Sequence, residues 1–437
     1  FQNNNSSINY WENLVQENKS FCIFPFIELL TQNGHTTVCC RSNKKITDLD
    51  SLKDFNTNEE YNKLRQSLIK GEKISHCAQC YQEEDNGMLS ARQQETVEWA
   101  NFLNLNSIED LKNLNGPYYY EIRPSNICNL QCRICSPESS HLIEKEYNKL
   151  GLYNANEKYT YHNFDIVDLN KVKKLYIAGG EPTAMPEFYK FLKKCIDNNQ
   201  TDFEILINTN TQKISNKLLD LGKHFKNLNY IVSIDGYDKA NEYSRWPSNW
   251  NQTVENIRKL INNGHQVTFN ITLSLYTIFS LKDLVFFLQE NFSNCLIHGQ
   301  FAYNVYPFVF EYNNSLLNDL ELIKNTAVYQ GNNLFQSFID TVIKKAQESK
   351  LDQKKLKEFF EFNDLLDRSR NIQLKDYIPE LENLRPTTVL LPKQVCDNCG
   401  RPSHCSGPLY DHANIIPTFS SGLTKICENC NCSECKN

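Results

Sequence analysis

The sequence predicts an α/β protein built on a parallel sheet. Between residues 116 and 310, six short strand-like runs alternate with helix-like stretches. That order lays strands side by side with helices across one face. Two polar motifs, at Cys128 and at Gly179, each follow directly on one of these runs. In such sheets functional groups collect beyond the carboxyl ends of the strands. All but two of the 17 cysteines, Cys195 and Cys295, fall into three groups, each containing a C-x2-C spacing.

Residues 1–20 read as a polar entry, and 21–115 hold the first cysteine group. The segment 116–310 carries candidate strands at Tyr118–Ile122, Lys174–Ala178, Glu204–Asn208, Asn229–Ile234, Gln266–Leu273 and Leu296–Tyr303. Candidate helices fall at Glu187–Asn198, Ser215–Gly222, Thr253–Asn263 and Leu281–Asn291. Residues 311–385 read as helical, a packing or lid segment, because charged and apolar residues alternate there at helical spacing. From Pro386 the composition changes, and 386–437 reads as a Cys-rich metal-binding tail.

A chain of 437 residues fits two to four domains, and 40% hydrophobic residues support a real core. A net charge of −6 without a basic stripe argues against a nucleic-acid partner. No apolar run reaches the length of about 18 residues that a membrane helix needs, so no membrane partner is expected. The chain starts at Phe1 with a polar stretch and no signal-peptide pattern, which fits a trimmed start or a fragment. Cysteines grouped at metal-ligand spacing predict a reducing cytoplasm rather than disulfides. Cys195 and Cys295 read as buried small apolar residues.

The run IRPSNICNLQCRICSP presents Cys128, Cys132 and Cys135 as C-x3-C-x2-C. Three thiolates at this spacing fit a 4Fe–4S cluster with one iron left without a protein ligand, and an open position lets a metal site do chemistry. A zinc site or a group of free thiols is the alternative. Gly179-Gly180-Glu181-Pro182 follows the next strand. Adjacent glycines let backbone approach a ligand closely, and a carboxylate can pair with a ligand ammonium. Together the two motifs resemble the signature of the radical S-adenosylmethionine (radical SAM) superfamily. The resemblance implies a partial (β/α)6 TIM-like barrel. It also implies a cofactor whose methionine end occupies the open iron while the GGEP segment holds its amine. Reductive cleavage would then give a 5′-deoxyadenosyl radical that abstracts hydrogen from a substrate.

Further cofactor contacts are expected at strand ends. Asn208 and Asn210 close ILINTN, and Ser233 and Asp235 lie in SIDG; turn chemistry is the competing explanation. Arg245, in YSRWPSNW, resembles the arginine that related enzymes place on the cofactor carboxylate, a pairing suited to a guanidinium fork. A surface salt bridge is its alternative. Ile134 stands where relatives often carry an aromatic residue against adenine, and it retains an apolar contact.

The first cysteine group runs Cys22-x11-Gly34-x4-Cys39, with Cys40 adjacent, then Cys77-x2-Cys80. Two loop thiolates and a knuckle can enclose an ion or saturate a four-iron cluster. The order resembles the twitch half of SPASM domains, here placed before the barrel, through FCIFPF, HTTVCC, CAQCYQEED and SARQQ. This implies an auxiliary 4Fe–4S cluster on Cys22, Cys39, Cys77 and Cys80. Cys40 is the alternative to Cys39, and zinc is the alternative metal. Glu83–Arg92 reads as a solvated helix face or a substrate contact. In the tail, Cys396, Cys399 and Cys405 resemble the start of the other SPASM half, and Cys427, Cys430, Cys432 and Cys435 follow. Leu409 stands where a further cysteine is expected, so a second auxiliary cluster and a zinc ribbon both remain open.

The resemblance implies a ribosomally made peptide as substrate, altered by cross-linking, epimerisation or excision, and a flavodoxin- or ferredoxin-type reductant. The alternatives are a small metabolite, sugar or nucleoside substrate, and a non-catalytic iron–sulfur or zinc scaffold.

Overall fold

The computed structural model describes residues 4–42, 44–85, 87–153, 159–302, 314–348 and 352–386, together with 409–410 and 426–427. Helix α1 (Asn4–Glu17) opens the chain. α2 (Phe24–Ile27) leads into strands β1 (Glu28–Gln32), β2 (His35–Thr37) and β3 (Lys45–Asp48). Helices α3 (Glu59–Ile69), α4 (Ala78–Asp85) and α5 (Ala91–Phe102) complete the N-terminal part. β4 (Tyr119–Arg123), α6 (His141–Lys149), β5 (Lys174–Ile177), α7 (Pro186–Asp197), β6 (Glu204–Thr209) and α8 (Asn216–Gly222) follow. Next come β7 (Asn227–Ser233), α9 (Lys239–Ser244), α10 (Trp250–Asn262), β8 (Val267–Leu273), α11 (Leu281–Phe292) and β9 (Leu296–Phe301). The helices α12 (Asn314–Ile323), α13 (Ala327–Gln330), α14 (Asn333–Glu348), α15 (Gln353–Arg370) and α16 (Pro379–Glu382) realise the expected helical segment.

All six expected strands form, and β4 to β9 pair in parallel in chain order. Their alternation explains the layering. Leu175, Ile177, Ile205, Ile207, Val232, Phe269 and Ile271 are buried and join the core with Phe188 and Leu192 of α7, Leu218 of α8, Ile257 of α10 and Leu284 of α11. The alternate residues, among them Asn208, Ser233, Asn270, Thr272 and Gln300, line the opposite face. A period-2 strand buried on one side must place its polar residues on the other.

The N-terminal part is joined to this sheet. β1 pairs in parallel with β4, and β2 and β3 extend the edge antiparallel, giving one nine-stranded sheet ordered β3-β2-β1-β4-β5-β6-β7-β8-β9. Trp99 of α5 stacks on Tyr119 of β4 with ring centroids 5.6 Å apart. Stacked aromatic pairs add about 0.5–1.5 kcal/mol beyond their burial.

Two expectations change. The segment read as a polar entry is mostly helix, because Trp11 buries its ring and donates its indole N–H to the Leu105 carbonyl at 2.8 Å. The stretch Glu83–Arg92 is solvated only in part: Asp85 and Leu89 are exposed, whereas Glu83 and Arg92 are buried. Arg92 is 1% exposed and holds Glu84 through two contacts of 2.8 Å, while donating to the Phe21 carbonyl at 2.9 Å. Glu83 is buried against Arg41 at 2.7 Å. Charges satisfied in this way belong to the packing between α1, α4 and α5.

In the tail, β10 (Leu409–Tyr410) pairs antiparallel with β11 (Ile426–Cys427), and Cys427 lies opposite Leu409. Cys396, Cys399, Cys405, Cys430, Cys432 and Cys435 lie outside the described residues. Among the described residues no helix is long and apolar enough to cross a membrane.

Candidate active site

The loop after β4 carries Cys128, Cys132 and Cys135. Cys132 is buried and the other two are half-buried. Tight local turns build the loop: Leu130 N–H donates to the Cys128 sulfur at 3.4 Å, and Cys135 N–H donates to the Cys132 carbonyl at 3.1 Å. Burial, and then Cys132, push the Cys128 thiol up to about 12. A hydrogen bond from the Cys135 thiol holds Cys132 below the usual thiol range. The Arg245 guanidinium favours the thiolate form at all three. Cys128 and Cys135, costly to ionise alone and gathered with Cys132 near one cation, suit a site where a metal cluster takes up their charge.

The GGEP segment runs beside this loop, backbone against backbone. Gly180 N–H donates to the Ser125 carbonyl at 2.9 Å, and Glu181 N–H to the Ile127 carbonyl at 2.7 Å. A Cβ on Gly180 would lie 2.0 Å from the Ile127 oxygen. One on Gly179, whose φ is +106°, would lie 2.6 Å from the Ser125 oxygen. The paired glycines therefore admit the cysteine loop itself; their expected role was the approach of a ligand. Pro182 is buried and starts the short turn after Glu181.

Glu181 also has partners within the chain. It is 2% exposed. Its Oε1 accepts from Thr183 N–H at 3.1 Å and from the hydroxyls of Thr183 and Thr209 at 2.7 and 2.8 Å. Its Oε2 accepts from Asn210 N–H at 2.7 Å. Burial raises its pKa against the pull of these bonds. A carboxylate has about four acceptor positions, so this one is largely engaged in tying the end of β5 to the end of β6. Asn210 continues the link, donating its amide to Asn129 at 2.8 Å within the cysteine loop.

The other expected residues divide. Asn208 accepts from the Ser233 hydroxyl at 3.0 Å across the inner sheet face. Asp235 is buried and pairs with Arg245, at 3.0 Å to Nη2 and 2.7 Å to Nε, and it accepts from Thr272 N–H at 2.9 Å. Arg245 is itself 8% exposed, so the pair is not a surface salt bridge. Ile134 is half-buried and packs against the main core.

Local pattern gave no notice of Arg133, whose guanidinium is buried under the loop among residues from α9 and α15, nor of Thr183 and Thr209, which saturate Glu181. A charge between two of the loop cysteines was the only available signal for Arg133.

In the N-terminal part, Cys22, Cys39, Cys77 and Cys80 are all buried. Burial raises Cys22, followed by Cys77 and Cys80. Burial also raises Cys39, followed by Cys40, Glu28, Cys22 and Cys80. Cys22 and Cys39 belong to one buried apolar cluster, and Cys77 immediately precedes α4 while Cys80 lies in its first turn. Cys40, displaced by one residue, is exposed. Among the described residues no three His, Cys, Asp or Glu side chains converge on the position of a single metal ion.

A cavity of about 700 Å³ occupies the amino half of the inner sheet face. Lys174, Glu204, Asn227 and Asn229 line it from the strands, and Glu95 and Trp99 line it from α5.

Residues 122–288 match the Radical SAM superfamily. No curated protein matches the chain. Among solved structures the chain is similar to Streptococcus suis SuiB bound to S-adenosylmethionine, at 16% identity and a TM-score of 0.34, over 67% of this chain and 61% of that one. SuiB bound to its precursor peptide SuiA aligns at 15% identity and a TM-score of 0.31, over 78% of this chain and 59% of that one. The protein anSMEcpe with bound AdoMet aligns at 16% identity and a TM-score of 0.35, over 55% of this chain and 63% of that one. The chain thus spans about three fifths of the length of these structures.

Proposed function

We propose that this chain is a radical SAM enzyme that reductively cleaves S-adenosylmethionine and acts on a ribosomally made peptide. One observation carries the reading: the cysteine loop and the GGEP segment are held together by the Gly180–Ser125 and Glu181–Ile127 backbone hydrogen bonds, within the span that matches the superfamily. Cys128, Cys132 and Cys135 would hold a 4Fe–4S cluster, with the methionine end of the cofactor beside Gly179, Gly180, Glu181 and Pro182. When bound, the cluster would supply the one-electron reduction that splits the cofactor's sulfonium into methionine and a 5′-deoxyadenosyl radical.

The chain's own residues do the rest. Glu181 anchors its segment to β6; the Glu181 and Pro182 carbonyls accept from Ala184 and Met185 N–H, both at 3.0 Å, so an ammonium would meet the carbonyls of Gly179 and Gly180. Arg245, oriented by Asp235, retains guanidinium donors for a carboxylate. Asn208 and Ser233, on the inner face, would meet the cofactor's hydroxyl groups, and Ile134 would offer apolar contact. Cys22, Cys39, Cys77 and Cys80 would hold an auxiliary 4Fe–4S cluster of twitch type. A flavodoxin- or ferredoxin-type protein would supply electrons.

The peptide assignment is supported by the inner sheet face. Asn270, Thr272 and Gln300, whose amide donates to the Thr272 hydroxyl at 3.1 Å, offer neutral donors and acceptors there, a chemistry matched to peptide amides. Anaerobic incubation with dithionite, S-adenosylmethionine and candidate peptides, followed by mass spectrometry, tests both levels. Formation of 5′-deoxyadenosine with a mass change confined to a peptide is expected. Absence of 5′-deoxyadenosine from protein carrying a reducible cluster would refute the enzyme reading, and turnover of a sugar or nucleoside but no peptide would refute the substrate.

A further inference from the structure

Arg133 lies between two of the three loop cysteines, and its side chain is 1% exposed. A buried guanidinium needs partners for its donors. It donates to the Tyr243 carbonyl at 3.1 Å and to Asn363 Oδ1 at 2.8 Å, and it pairs with Asp367. Its Cζ lies 3.7 Å from the centroid of the Tyr243 ring. The partners are themselves fixed. Asp367 accepts from the Tyr243 hydroxyl and from Leu374 N–H, both at 2.9 Å. Asn363 accepts from the Tyr276 hydroxyl at 2.8 Å and donates to the Phe359 carbonyl at 2.7 Å. The loop backbone is tied on the same side: Gln131 N–H donates to the Trp246 carbonyl and Arg133 N–H to the Ser244 carbonyl, both at 2.7 Å.

Asn363 and Asp367 belong to α15, outside the span 122–288 that matches the superfamily. They stand 230 and 234 residues from Arg133 in the chain. We propose that Asn363 and Asp367 are positioning residues, which set the placement of the cysteine loop, and so of the bound cofactor, by holding Arg133 from beneath. This rests on the radical SAM reading of the loop. An apolar contact would have buried α15 as well; a planar guanidinium held on several sides also restricts rotation and register. The backbone of Arg133 is continuous with the cysteines on either side. A displaced guanidinium therefore moves their sulfurs, whereas loss of a remote packing contact does not.

The test uses the full chain, reconstituted anaerobically with iron and sulfide. The variants are Asp367→Asn, the milder Tyr243→Phe, and Asp364→Asn, which breaks an outer pair on the same helix, Asp364 with Arg385. The readouts are iron per chain, melting temperature, the EPR signal of the reduced protein before and after S-adenosylmethionine, and the rate of 5′-deoxyadenosine formation against cofactor concentration. Asp367→Asn should retain iron yet lower the cleavage rate roughly ten- to hundredfold, the scale of a misplacement near 1 Å. Its EPR response to the cofactor should change, and Tyr243→Phe should fall between it and the parent. Asp364→Asn should match the parent in rate and signal. If Asp367→Asn and Tyr243→Phe keep the parent's EPR response and rate, the proposal is overturned. It is equally overturned if their losses only track melting temperature and are shared by Asp364→Asn. A parent protein that carries a reducible cluster and makes no 5′-deoxyadenosine would instead refute the enzyme reading, while the EPR comparison between variants would still judge the clamp.

Discussion

Replacing Gly180 by Ala tests the contact between the two motifs directly. The added Cβ would sit 2.0 Å from the Ile127 oxygen, 2.4 Å from its carbonyl carbon and 2.8 Å from the Asn126 carbonyl carbon. All three atoms are backbone, so no rotamer change relieves the clash. Reaching the 3.4 Å of ordinary contact takes a retreat of roughly 1.4 Å, too large for a tightly packed interior to absorb. That retreat breaks the bonds from Gly180 N–H at 2.9 Å and Glu181 N–H at 2.7 Å. Each is worth about 0.5–1.5 kcal/mol, and overpacking adds about 1–3 kcal/mol. The expected loss is about 2–6 kcal/mol, read as a shift in the denaturant midpoint of the apo-protein under reducing, anaerobic conditions. Gly87→Ala provides the comparison. Gly87 has a φ of +80° with open space around it, so only backbone strain of about 1–2 kcal/mol applies. Gly180→Ala should also impair assembly of the loop cluster, seen as fewer irons per chain and less 5′-deoxyadenosine. A Gly180→Ala protein within about 0.5 kcal/mol of the parent, below the smaller cost of one lost hydrogen bond, would refute the close-approach explanation.

Three further outcomes follow from the same geometry. Arg245→Ala should destabilise the apo-protein by about 3–5 kcal/mol, because it strands the buried Asp235 carboxylate; a melting curve like the parent's would show that the pair is not needed for folding. His162 is held down to about 4 from 6.5, chiefly by burial, and its Nε2 meets the Thr31 hydroxyl at 2.8 Å. Since the unfolded chain binds this proton first, stability is full above pH 6.5 and declines as pH falls toward 4. Loss of about 2–3 kcal/mol from this group should be absent in His162→Gln, and an unchanged pH profile there would assign the decline elsewhere. Cys39→Ala should remove auxiliary iron while Cys40→Ala retains it, because Cys39 is buried in one cluster with Cys22 and Cys40 is exposed; the opposite pattern in anaerobic iron analysis would exchange their roles.

Much of the fold was legible because its signals are local. β4 to β9 each bury one face, and their alternation and turn residues appear in consecutive positions. The cysteine spacing and GGEP are equally local, and strand ends are where a parallel sheet presents such groups. Polarity alone misled at α1, where Trp11 and Val15 bury one side of an otherwise polar helix.

The sequence by itself determined the parallel sheet, the motifs at its strand ends and the class of chemistry they resemble. Tertiary structure alone decided what those motifs touch. Glu181 finds Thr209 across 28 residues, and Arg133 finds Asp367 across 234. Cys39 and Cys40 are indistinguishable as residue types, yet one is buried in a cluster with Cys22 and its neighbour is exposed. Periodicity records the geometry of one segment, which repeats along it. A buried charge is satisfied by whichever donor another segment brings within about 3 Å, and that distance is set only when the segments pack.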